Sequence, residues 1–209
     1  MGFYPFATLP PGGTAGGVLT GTYPNPGLAA GVGVDSQTAL SAVVPSYATL
    51  PRWAIAGSEA LLVSGVLSLG MLLVPAGQTL THLGFRTGTT AGATMSDWWM
   101  VLANEALTVL GVTADQLTAA IPASASTSLA MTASYTVAGT AGVLQPLYVG
   151  LMVNALTVPT LEGTAAGAQL NASPAVTGSS GSSLTSPPSL GATLGALSSL
   201  ASMPYFWAY

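Results

Sequence analysis

From about residue 60 the chain is cut into short apolar runs rich in β-branched residues, with turn signals between them at regular intervals. This pattern constrains the fold more than any other feature. Runs of four to eleven residues are too short for a bundle of long helices, and many short strands at such spacing mark a sandwich or barrel. Strands are predicted over 60–63, 66–74, 79–87, 98–103, 107–112, 127–137 and 147–155. Pro75, Ala76 and Gly77 form a turn between two of them. Asn104, Glu105 and Ala106 close a hairpin between WWMVL and LTVLGV, and AGTAG at 138–142 turns the chain before QPLYVGLMV. A strict period of two places Thr79, Thr81 and Leu83 on one face, with Leu80, His82 and Gly84 on the other. Thr113, Ala114, Asp115 and Gln116 have the form of a capping box before LTAAI. A two-turn helix stopped by Pro122 and an irregular crossover both fit that stretch.

Half of the residues are hydrophobic and mean hydropathy is +0.62, which raises the question of a membrane span. The best candidate, Leu61 to Val74, is broken by Ser64, Gly65, Ser68 and Gly70 and followed by Pro75. It falls short of the ~20 apolar residues that a spanning helix needs. MGFYPFATLPPGG at the start has neither the basic nor the apolar region of a signal peptide. Disordered chains are poor in apolar residues, so the middle of this one is expected to fold.

Charge is scarce and unevenly placed. Only 4% of the 209 residues are charged, two arginines and six acids, against ~25% in ordinary soluble domains. With no cysteine, disulfides and thiolate metal sites are excluded. Arg52 and Arg86 alone, in a chain of net charge -4, cannot build a groove for nucleic-acid phosphates. Every charge lies between Asp35 and Glu162. This divides the chain into a neutral arm (1–34), a connector (35–57), a sandwich (58–162) and a neutral low-complexity tail (163–209). So little charge leaves solubility to Thr, Ser, Gly and Asn, or to burial against other chains.

The arm is extended by composition, because its prolines remove ladder donors and its glycines add backbone freedom. It also carries Phe3, Tyr4, Phe6, Val18, Leu19, Tyr23 and Leu28, apolar groups that call for a surface to lie on. In the connector, Asp35 can cap a short helix through Ala39, Leu40 and Val43 that ends at Pro45; a surface-hugging segment fits equally. The tail has the Ser/Gly/Pro composition of a linker. Yet it ends in Tyr205, Phe206, Trp207 and Tyr209, which on a free end would be an adhesive liability. The tail is therefore expected to dock that end, on its own domain or on a neighbour.

Chemistry-bearing residues are sparse. The one imidazole, His82, sits in a predicted strand, where a structural role is favoured; a general base needs an orienting partner. A second histidine for an ordinary zinc site is lacking. The acids Asp35, Glu59, Asp97, Glu105, Asp115 and Glu162 are scattered, with no local sign of a glycosidase pair. GGTAGG at 12–17 lacks the Lys-Ser or Lys-Thr of a phosphate loop. Asp97 beside Trp98 and Trp99 is a candidate glycan contact, although adjacent strand residues face opposite ways, so at most one ring is expected to be available. The expectation is a protein without catalytic activity, cofactor or metal.

Two stretches resemble known proteins. GGTAGGVLTGTYPNPGLA at 12–29, above all Tyr23, Pro24, Asn25 and Pro26, resembles a Gly-rich segment of tailed-bacteriophage fibre and tail proteins. That resemblance implies parallel association of chains, usually three, near an attachment point. The TGTTA turn at 87–91, the Trp-containing strand, YVGLMV followed by TVPTL, and the final PYFWAY resemble a domain of actinobacteriophage virion proteins called minor tail proteins or tail fibres. This implies an all-β, jelly-roll-like sandwich, a structural role and no catalytic residues. The expected partners are other copies in a homotrimer, further tail or capsid proteins, and host surface glycans. The expected place is the virion, on the tail or capsid exterior, after synthesis in the host cytoplasm; a capsid decoration or head-fibre role and a glycan-binding or glycan-cleaving module are the alternatives.

Overall fold

The structure is a computed structural model and describes residues 19–20, 27–28, 46–51, 54–165, 177–181, 183–198, 200 and 202–209. The chain divides into two units, Met1–Ser36 and Gln37–Tyr209. In the first, β1 (Leu19–Thr20) and β2 (Gly27–Leu28) pair antiparallel, with Leu19 opposite Leu28.

The second unit is all-β. Its strands are β3 (Tyr47–Ala48), β4 (Ala56–Leu61), β5 (Val66–Pro75), β6 (Thr79–Arg86), β7 (Ala93–Asn104), β8 (Val109–Val112) and β9 (Ser126–Thr136). They continue with β10 (Leu144–Thr157), β11 (Thr160–Ala165), β12 (Thr177–Ser180), β13 (Ser202–Pro204) and β14 (Phe206–Ala208). A five-stranded sheet runs β12-β5-β10-β7-β8, and a four-stranded sheet runs β3-β14-β6-β9. A smaller sheet is ordered β13-β11-β4. The apolar run from Leu61 is thus mostly a sheet strand. Among the described residues no helix is long and apolar enough to cross a membrane.

The two larger sheets pack through their apolar faces. Leu72 and Val74 of β5, Trp98, Met100 and Leu102 of β7, and Val149, Leu151 and Val153 of β10 meet Leu80, Leu83 and Phe85 of β6 and Phe206 of β14 in one core. Phe85 and Trp98 contact edge to face, with centroids 5.9 Å apart. The turn at 75–77 connects β5 to β6 across the sheets rather than within one, with Gly77 at φ +90°. The 138–142 turn likewise carries the chain from β9 to β10 and the opposite sheet. Asn104–Ala106 does close the β7–β8 hairpin.

The other face of the five-stranded sheet is also apolar. Leu67, Leu69, Trp99, Val101, Ala103, Val109, Tyr148 and Met152 form a second buried cluster. Residues from the low-complexity tail cover it, with Leu184, Ala192, Leu194 and Leu197 packed on top. Burial on both faces explains why β10 is apolar without alternation from Leu147 to Val153. The covering segment is tied at both sheet edges. The Leu184 N–H donates to the Gly65 carbonyl, Gly191 to Val109, and Leu194 to Leu107. Reciprocal bonds between Ser179 and Ser198, both 2.8 Å, close its base.

Three sequence expectations are decided by the fold. First, β6 does not keep a period of two. Leu80 and Leu83 both enter the core because Thr81 and His82 form a bulge, both N–H groups donating to the Tyr209 carbonyl (2.6 and 2.9 Å). Second, of the two readings of the stretch from Thr113 to Pro122, the irregular crossover is the one formed. The Thr113 N–H donates to the Met100 carbonyl and Gln116 to Trp98, which ties the start of the crossover to β7. Third, the boundary at 162 falls inside β11, and the tail beyond it supplies three strands of the sheets. The helix considered after Asp35 lies outside the described residues.

Candidate functional site

Of the arm residues singled out from the sequence, Leu19 and Leu28 face each other across the β1–β2 pair. Phe3, Tyr4, Phe6, Val18, Tyr23, Pro24, Asn25 and Pro26 lie outside the described residues.

The Asp97–Trp98–Trp99 candidate does not form an open glycan contact, because both rings are buried. Trp98 is 3% exposed in the inter-sheet core, where its Nε1 donates to the Ala119 carbonyl at 2.8 Å. Trp99 points to the opposite face, as β pleating requires, but the tail covers that face and leaves it 1% exposed. Its Nε1 has no hydrogen-bond partner among the described residues. The expectation that one ring could be available failed because it assumed a sheet with one solvated face. Asp97 instead accepts a hydrogen bond from the Asn154 amide at 3.2 Å, across the β7–β10 pair.

The aromatic end docks on its own chain. Phe206 is fully buried opposite Phe85, and Tyr205 joins Ala48, Leu50 and Met203 in a small third cluster. Trp207 lies over Gly84, where an added Cβ would come within 2.3 Å of the indole. Tyr209 stacks on His82 with centroids 4.8 Å apart and an interplanar angle of 3°. His82 Nδ1 lies 2.9 Å from Thr81 Oγ1. The lone imidazole thus braces the bulge and the chain end. Thr49 secures the same region, its hydroxyl donating to the Pro204 carbonyl (2.7 Å) and accepting from Phe206 N–H (3.0 Å).

Among the described residues the charged groups form no cluster beyond a single ion pair. Arg86 pairs with Glu162 at 2.7 Å, tying β6 to β11. Asp115 accepts from the backbone N–H groups of Trp98 and Leu117, a turn-forming role. Among the described residues no three His, Cys, Asp or Glu side chains are grouped to hold a metal.

A concave feature lies where the sequence offered only a hairpin. A groove of about 480 Å³ opens between the β7–β8 turn (Asn104, Glu105), the end of β9 (Tyr135) and the start of β10 (Gln145, Pro146). Asn104 shapes the turn through its side-chain oxygen, which accepts from Thr108 N–H at 2.9 Å. Leu107 follows at φ +60°, a conformation unusual for leucine, and is held by its packing and by Leu194 N–H on its carbonyl. On the outer face of the sheet the buried Tyr148 has its phenol pushed above the ordinary range, first by burial and then by the negative charge of Glu105. The residues that form this groove are far apart in sequence and carry no common motif, so no local signal could have assembled them.

No protein-family model, curated protein or solved structure matches the chain.

Proposed function

We propose that this chain is a structural component of a bacteriophage particle, a fibre-like minor tail subunit that assembles as a homotrimer and has no catalytic activity. The arm lies in extended form along neighbouring subunits, and the sandwich faces outward. One observation carries this reading. Of the two neutral, apolar flanks, the C-terminal one is consumed within its own sandwich, as Phe206 and the covering leucines show. The flank left to serve neighbours is the arm, a separate unit that bears the fibre-like GTYPNP segment. The scatter of the carboxylates supports the non-enzymatic part of the reading.

Labelling the protein on intact particles tests the proposal. Copies in multiples of three on the tail are expected, and removal of residues 1–34 is expected to release the sandwich from the particle. Hundreds of copies over the head would replace this reading with capsid decoration. Particles that retain the protein without residues 1–34 would show that the arm is not the anchor. Release of reducing ends from host envelope polysaccharide, lost in Asp97→Asn, would overturn the non-enzymatic assignment.

A further inference from the structure

We propose that the groove between the β7–β8 turn and the β9–β10 junction binds a neutral saccharide. Its size lies within the roughly 300–1,000 Å³ of ligand pockets. Its chemistry narrows the class. The Glu105 carboxylate, the Gln145 amide and the Tyr135 hydroxyl all border it, and none has a hydrogen-bond partner among the described residues. Most other polar side chains on the strands and turns are engaged: Asn154 with Asp97, Thr79 with Thr136, Arg86 with Glu162 and Ser126. A set of acceptors and donors at one concave place, beside the ring of Tyr135 and the flat face of Pro146, matches a sugar's hydroxyls and its C–H face.

Other ligand classes fit less well. The charge in the groove is negative, so phosphates and acidic sugars are repelled. A purely apolar molecule would leave the amide and the carboxylate without partners, at a cost in affinity. A single carboxylate is too few ligands for a divalent cation.

The groove walls are held in place. Tyr135 packs against the main core. Gly139, at φ +131°, leaves room for Gln145; an added Cβ would sit 3.0 Å from its Nε2. The turn bearing Glu105 is clamped through Leu107 by the covering segment. The saccharide class is read from these groups alone, so the inference does not depend on where the protein sits in a particle.

The test titrates the full chain with neutral hexose and pentose oligosaccharides, their acidic counterparts and oligolysine, followed by calorimetry and amide chemical shifts. At least one neutral oligosaccharide is expected to bind saturably and to shift residues 104–106, 135 and 145. Tyr135→Ala and Gln145→Ala are each expected to weaken it about tenfold, the loss of one ring contact or well-placed hydrogen bond. Glu105→Gln keeps the shape and hydrogen-bonding atoms while removing the charge, so neutral-sugar affinity should stay within about threefold. Melting temperatures of the variants close to the parent's would assign the losses to binding. No binding by any neutral sugar would overturn the proposal, as would shifts confined to another surface. Preference for oligolysine, abolished in Glu105→Gln, would overturn the ligand class and point to a basic peptide.

Discussion

The two faces of the five-stranded sheet are equally apolar but covered by different means. The inner face meets another sheet, whose strands complete their own ladders and bring Leu80, Leu83, Phe85 and Phe206 into a continuous core. The outer face is covered by a segment with little regular structure, tied at the sheet edges and packed through Leu184, Ala192, Leu194 and Leu197. Trp98 and Trp99 record the difference. Trp98, facing inward, has its N–H satisfied by Ala119; Trp99, facing outward, is as well buried but lacks a partner among the described residues. A low-complexity tail can thus serve as the third layer of a sandwich, with less complete polar pairing than a sheet provides.

The most severe way to break the comparison is to end the chain before Thr177. That removes β12, the covering segment and the β13–β14 end, and uncovers both clusters at once. Loss of a cooperative thermal transition and strong binding of an apolar dye are expected; a sharp transition near that of the full chain would show the cover to be dispensable. Next come point changes on each side. Phe206→Ala should cost about 3–5 kcal/mol in urea unfolding, as for a buried aromatic. Leu194→Ala, on a partly buried side chain of the cover, should cost only about 1–2 kcal/mol. Equal losses would mean that the two layers pack alike.

A finer comparison uses the two indoles. Trp98→Phe leaves the Ala119 carbonyl without its donor, whereas Trp99→Phe removes an N–H that has no partner among the described residues. Trp98→Phe should therefore be more destabilising by about 0.5–1.5 kcal/mol, the net worth of one hydrogen bond, because Ala119 is exposed and its carbonyl is not left orphaned in the core. A larger loss for Trp99→Phe would reveal a partner for its N–H in solution.

The smallest effect expected is alkaline. Burial raises the phenols of Tyr47 and Tyr148 above the ordinary range. A raised folded-state value means that the unfolded chain ionises first. Their contribution is therefore complete below about pH 10 and is lost as pH rises beyond it. The urea midpoint should fall above that pH, and Tyr148→Phe should flatten the fall; a midpoint unchanged to pH 11 would contradict it.

Much of the strand pattern was legible because its signals are local. Turn residues bracket β5, β6 and β10, and the hairpin at Asn104–Ala106 is written in adjacent residues. The candidate sites were harder to read. The groove needs Glu105, Tyr135 and Gln145 from three elements, and the facing of Trp99 matters only once its cover is known. Period-two reasoning failed in β6 because the bulge depends on the Tyr209 carbonyl, 128 residues beyond Thr81.

By itself, then, the sequence determined an all-β chain, the approximate place of most long strands, and the confinement of charge between Asp35 and Glu162. These follow from alternation, turn chemistry and composition, which act over a few residues. Tertiary structure alone decided which sheet each strand joins, that Trp98 and Trp99 are both buried, and that the tail closes its own sandwich. Strand pairing and face coverage are long-range choices. A leucine amid serines and glycines becomes an anchor only when an apolar face, folded from distant residues, lies beneath it.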